Sequence, residues 1–228
     1  RKFTLEGKLV KTFGTQGVPS DTGSDNFSKI KRAAGPFNGP TDVAFNGADD
    51  LYISDGYGNA RVHRFTDEGD LISSWGTPGD RPGQFNLPHN SYTDGRVLYV
   101  LDRENHRVQL FTLKGEFLSE WTDFAGPTGI SPARDGSLFI SEFGYDPVRP
   151  ARYRPPKHGV RILPRVTVRS PEGKLLAKIE GKDMFAPGSF FAPHSLCVDP
   201  LGDVYVAEVP ITRRATRECH TLQKLVKQ

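Results

Sequence analysis

PTDVAFNGADDLYISD, from Pro40 to Asp55, reads as two short apolar strands around a polar turn, opened by a proline and closed by a carboxylate. The phrase returns as PHNSYTDGRVLYVLD (Pro88 to Asp102), PTGISPARDGSLFISE (Pro127 to Glu142) and PHSLCVDPLGDVYVAE (Pro193 to Glu208). Leu51 and Ile53 alternate with Tyr52 and Ser54 at the period of two expected of a strand, and no helical periodicity is sustained. A second phrase follows the first two copies, RVHRF with EGDLISSWG and RVQLF with KGEFLSEW. A looser version, VTVRSPEGKLLAKIEG, ends near Gly181, and the chain opens inside the same phrase with KFTLEGKLVKTFG. Units of about 40 to 50 residues holding four short strands each are the blades of a β-propeller.

The expected fold class is therefore all-β, with about four complete four-stranded blades plus a partial one in a single domain, 1–228. The blades fall at 40–76, 88–121, 127–181 and 193–228, after a blade end at 1–14. Two stretches do not fit the repeat. One is a long inter-blade loop at 14–39, and the other is a Pro- and Arg-rich insertion at 143–160. Loops at a propeller mouth are natural walls for a binding site. A chain that begins in mid-blade is expected to be a piece of a longer protein.

Composition narrows the function. No stretch approaches the roughly 20 apolar residues of a membrane helix. The net charge of +3 is spread along the chain, which gives nucleic-acid binding no support. Two cysteines, Cys197 and Cys219, allow at most one bridge, and without a CxxC pair a thiolate zinc site is not expected. Neither a GxSxG elbow nor a Walker loop is present. The opening RKFTLEGK is not a signal peptide. The sequence sets no oligomeric state.

Chemistry concentrates in one repeat slot. His89 and His194 each follow the proline that opens an inner strand, and Thr41 and Thr128 hold that slot in the other two copies. Repeat symmetry puts all four at one level of the central channel. Two imidazoles converging on an axis suit zinc, whose catalytic sites take three protein ligands and keep a position open. The alternative is that each histidine bonds a neighbouring blade and lines a water-filled channel.

Tyr57 sits at the turn after Asp55, at the end of the blade where the inner strand starts. A phenol has an ordinary pKa of about 10, so work as a base at neutral pH needs a nearby cation. A packing role is the alternative. Arg103, at the matching turn of the next blade, suits a substrate carboxylate. Its alternative is an inter-blade ion pair with Asp55 or Asp102. Asp55, Asp102, Glu142 and Glu208 recur at one position in every copy, which argues for a structural job. Of the other histidines, His63 is expected to face solvent and His106 to be a turn donor, with His158 and His220 structural or solvated.

The phrases GPTDVAF, LYISDGYGNARVHRF, RPGQFNLPHN, LYVLDRENHRVQLF and FAPHSLCVDPLGDVYVAE resemble NHL repeats. More closely, they resemble the peptidyl-α-hydroxyglycine α-amidating lyase family. That resemblance implies a six-bladed parent whose channel holds a zinc ion on three histidines. It also implies cleavage of a peptide's C-terminal α-hydroxyglycine to a peptide amide and glyoxylate. Carried over, the Pro-His pairs give His89 and His194 as zinc ligands, SDGY gives Tyr57, and DREN gives Arg103 as catalytic positions. The third histidine and a further arginine are expected in upstream blades.

The departures are specific. The family's calcium-binding Asp is Ser195 here, which weighs against a Ca2+ site, and a family Met is Ala192. Cysteines that form disulfides in the animal enzymes correspond to Gly58 and Tyr99. The implied partner is a small molecule or peptide C-terminus, in a secreted or periplasmic location. Two rival functions stand beside the lyase. One is a non-catalytic NHL propeller that binds protein, peptide or carbohydrate; the other is a metal-dependent hydrolase or lactonase of the same architecture.

Overall fold

The structure is a computed structural model that describes all residues except 25, 27–28, 48–49, 146–159, 212–214, 216–217, 219 and 228. The repeat phrases become antiparallel meanders. The first is β3 (Pro40–Phe45), β4 (Leu51–Asp55), β5 (Arg61–Phe65) and β6 (Leu71–Trp75), hydrogen-bonded in chain order. The second is β7 (Pro88–Thr93), β8 (Val97–Asp102), β9 (Arg107–Thr112) and β10 (Phe117–Trp121). The third is β11 (Pro127–Pro132), β12 (Leu138–Glu142), β13 (Arg165–Arg169) and β14 (Leu175–Ile179). The last has three strands among the described residues, β15 (Pro193–Val198), β16 (Val204–Glu208) and β17 (Leu222–Leu225). A ribbon of β1 (Lys2–Phe3) and β2 (Leu9–Lys11) precedes them. The fold class is all-β and its units are propeller blades. No helix among the described residues is long and apolar enough to cross a membrane.

The chain divides into two compact units, Arg1–Val100 with Gln109–Glu120, and Leu101–Val108 with Trp121–Gln228. In the first, Tyr52, Val62, Phe85, Leu98, Val100 and Phe111 are buried together, with Trp75 packed against them. In the second, Val166, Phe190, Leu196, Val204 and Val206 form the equivalent layer. Burial along β4, β8 and β9 is nearly continuous, so these strands are covered on both faces and the alternation read from the sequence does not separate core from solvent there.

Asp55, Glu142 and Glu208 fasten their blades to the segments that lead into them, and Asp102 holds the turn that follows it. Buried Asp55 accepts from the Asn38 amide at 3.0 and 2.9 Å and from Asn59 Nδ2 at 2.9 Å. Glu142 accepts from the Ala125 amide at 2.7 Å, Arg165 at 2.9 Å and Thr167 at 2.8 Å. Glu208 accepts from the Phe191 and Ala192 amides at 2.7 and 2.8 Å and from Gln223 at 2.9 Å. Asp102 accepts from Arg107 Nε at 2.8 Å and Asn105 Nδ2 at 2.7 Å. A buried carboxylate persists only when its lone pairs are satisfied in this way, and that need explains the recurrence.

His63 is corrected by the structure. It is fully buried, not solvent-facing, with Nδ1 2.7 Å from Ser74 Oγ and Nε2 3.3 Å from Asp55 Oδ2. β5 is covered on both faces, so alternation with Val62 does not bring His63 to water. The Ser–His–Asp grouping is a structural one, since the imidazole is closed off inside the blade and its Asp is already the blade's fastening group.

Candidate active site

The site begins with an irregularity. At the head of β3, β11 and β15 the register slips between the opening proline and the residue two places on, so that two residues oppose one acid on the next strand. Pro40 pairs with Asp55, Pro127 with Glu142 and Pro193 with Glu208, and the extra residues are Thr41, Thr128 and His194. A β-bulge re-aims the side chain of its extra residue. The slot found by repeat symmetry is thus set apart by the backbone itself.

In the first unit, His89 is buried and its Nε2 lies 3.2 Å from Tyr57 Oη, with the two rings edge-on at 5.8 Å and 84°. Tyr57 is 40% exposed, so the phenol bridges solvent and the imidazole. Its turn is held by residues of the stretch read from the sequence as a long inter-blade loop. The Tyr57 amide donates to Gly39 O at 3.0 Å, Thr22 Oγ1 donates to Gly58 O at 2.6 Å, and Asn59 reaches Ala34 O and Gly35 O. A Cβ on Gly58 would meet Asn38 Oδ1 at 2.2 Å, so only glycine lets the strap lie this close. Thr22, Ala34, Gly35, Asn38 and Gly39 therefore hold the turn that carries Tyr57.

In the second unit, His194 packs against Phe143, with ring centroids 5.7 Å apart. Arg103, buried in a short 3-10 turn (Arg103–Asn105), lies over the same Phe143 ring at 5.4 Å and bonds Glu104 Oε1 through Nε at 2.7 Å. Burial, with help from the Arg103 charge, pushes the His194 pKa down to about 4. At neutral pH that imidazole is uncharged and has a lone pair to give, the form a metal ligand needs. The alternative foreseen for Arg103 named Asp102 as a partner. Arg107 Nε binds Asp102, while Glu104 lies beside Arg103.

Phe143 is a site residue that the sequence reading missed. Its amide donates to Gly126 O, the carbonyl before the blade's opening proline, at 3.0 Å, just as the Tyr57 amide donates to Gly39 O. The two aromatics occupy one hydrogen-bonding position. One extra glycine, Gly56, offsets them in sequence: Tyr57 stands two places after its acid and Phe143 one place after. Aligning on the acid hides the match, whereas aligning on the aromatic would have exposed it.

His106 is in the left-handed region, with φ 55°, and closes the 3-10 turn. Its Nδ1 accepts from the Gly126 amide at 2.9 Å. His220 is exposed, and His158 lies outside the described residues. Ser195 stands where the family's calcium Asp would be, a place after His194. Among the described residues, no group of three His, Cys, Asp or Glu side chains is gathered to hold a metal. His89 and His194 lie in different units.

The NHL repeat model matches residues 37–65, the stretch containing β3, β4, β5 and Tyr57. The chain carries an NHL repeat and resembles the amidating lyases. It is 30% identical over 220 residues to peptidyl-alpha-hydroxyglycine alpha-amidating lyase 1 of Drosophila melanogaster, covering 86% of this chain and 37% of that protein. It is 31% identical over 148 residues to human NHL repeat-containing protein 3, covering 61% of this chain and 40% of that one. Across such curated relatives the chain spans a tenth to two-fifths of their length. Among solved structures, virginiamycin B lyase from Staphylococcus aureus superposes with a TM-score of 0.53 at 16% identity, over 83% of this chain and 56% of that one. At that identity the likeness is one of fold alone.

Proposed function

We propose that this chain supplies part of a zinc-dependent lyase site that cleaves a peptidyl-α-hydroxyglycine-type substrate to an amide and glyoxylate. The observation that carries the reading is the Tyr57 hydroxyl 3.2 Å from His89 Nε2, in the NHL-matched phrase that leads to a Pro-His pair. His89 and His194 would hold the zinc ion, and the donor chemistry fits, since neutral imidazoles are ordinary zinc ligands. The family resemblance implies a third histidine ligand. When bound, the ion supplies Lewis-acid polarisation and lowers the pKa of an oxygen acid.

The chain's own residues do the rest. Arg103 binds the substrate carboxylate through a paired guanidinium contact. Tyr57 removes the proton of the α-hydroxyl. The O–H electron pair becomes the new carbonyl bond, the Cα–N bond breaks, and the amide nitrogen leaves with its electron pair. Tyr57 returns the proton to that nitrogen, so the products are a primary amide and glyoxylate. Thr22 and Gly39 hold the turn that carries the phenol throughout.

Lyase turnover of Tyr57→Phe tests the reading, because the variant keeps the ring and removes the base. Undiminished turnover would rule Tyr57 out as that base. A second reading, a binding propeller without chemistry, draws on the likeness to NHL repeat-containing protein 3. Metal analysis separates the two, since a binding module requires no zinc.

A further inference from the structure

The slot residues of the two threonine blades do the same thing in both units. Thr41 Oγ1 lies 2.8 Å from Pro88 O and 3.1 Å from Ser54 O. Thr128 Oγ1 lies 2.8 Å from Pro193 O and 3.1 Å from Ser141 O. A hydroxyl has one proton to give, and in each case the shorter contact is to the proline carbonyl of the following blade. Ser141 Oγ, 2.9 Å from Thr128 Oγ1, can give its own proton to that oxygen and leave the threonine proton for Pro193. The two carbonyls belong to the peptides joining Pro88 to His89 and Pro193 to His194.

Such a carbonyl needs a donor. Both prolines are buried, and at the head of β15 the bulge takes the Pro193–His194 peptide out of the regular ladder. The orientation of that peptide plane sets the backbone angle φ of the histidine and with it the direction of the Cα–Cβ bond. On the other side, Gly56 approaches so closely that a Cβ there would sit 2.2 Å from Pro88 O. The carbonyl is therefore gripped between a hydroxyl and a glycine, with no room to swing.

We propose that Thr41 and Thr128 are positioning residues that aim His89 and His194, so that threonine blades hold and histidine blades present. The proposal deepens the reading of the two histidines as site residues and rests on it for the metal. Its geometric part stands on the hydrogen bonds alone.

The test uses the full chain labelled with 15N-histidine, without metal, and reads the ring nitrogen signals of His89 and His194. Thr41→Val is expected to move the His89 signals and leave those of His194 in place, with Thr128→Val doing the reverse. Thr→Ser at either position restores the parent spectrum because it keeps the hydroxyl. Zinc affinity, titrated separately, falls by about tenfold or more in each valine variant, the usual loss when support behind a ligand is removed. If both valine variants lower Tm while both rings keep their parent signals, the threonines only stabilise the blades and the proposal is overturned. A valine variant that does not fold is replaced by the Thr→Ala and Thr→Ser pair, read in the same way. If the parent binds no zinc, the metal reading fails and the ring signals still decide the positioning claim.

Discussion

The two units present the same slot histidine in opposite surroundings. In the first, an aromatic with a hydroxyl touches the imidazole, and Tyr57 puts a titratable oxygen 3.2 Å from His89. In the second, the aromatic at the same backbone position is Phe143, and the polar contribution comes from Arg103 stacked on it. One repeat sets a phenol hydroxyl beside its imidazole, and the other a buried guanidinium and an imidazole kept neutral. A repeat fold makes such division of labour simple, because the bulge and the carboxylate fastening keep the geometry while the residue in the slot changes.

The largest expected effect lies on the tyrosine side. Tyr57→Phe should lower turnover by about 10²- to 10⁴-fold, the usual contribution of a positioned acid–base group, while Phe143→Tyr restores none of it. Steady-state kinetics on an α-hydroxyglycine peptide would check both.

The fastenings differ next. Glu142→Gln leaves Arg165 buried without its counter-charge and should cost about 3 to 5 kcal/mol. Asp55 accepts from the Asn38 amide and Asn59 and faces His63, so Asp55→Asn should cost only about 1 to 3 kcal/mol. Urea denaturation of the two variants measures the gap, and equal losses would mean that the Arg165 ion pair is not what distinguishes the second unit.

A smaller effect is pH-dependent. His194 has a folded pKa of about 4 against 6.5 for an unperturbed histidine, so the unfolded chain binds the extra proton between those values. The stability this contributes is present above pH 6.5 and is lost as pH falls towards 4. His194→Asn should flatten that loss by about 1 to 2 kcal/mol after solvent screening, as seen by stability measurements at pH 7 and pH 4.5. The smallest effect is expected from Phe143→Leu, which opens the ring contact to water. The His194 pKa then rises from about 4 towards its ordinary value, as an NMR titration would show.

The sequence made the blades legible because their signals are local. Proline, alternation, turn glycine and closing acid all fall within 16 residues, and β3 with β4 occupies the phrase Pro40 to Asp55 to the residue. The slot was legible for the same reason. What escaped depends on contacts distant in sequence. His63 is buried by packing on both sides of β5, and Thr22 and Gly39 bond the Tyr57 turn, where the sequence showed only an insertion between blades. Phe143 was hidden by the single glycine that shifts it against Tyr57.

The account rests on His89 and His194 serving one metal ion, and anomalous scattering at the zinc edge from crystals of the full-length protein tests that directly. The predicted result is a single zinc peak within about 2.1 Å of a ring nitrogen of each histidine. A structure with zinc supplied in which neither ring carries a peak, or each carries its own, would contradict it.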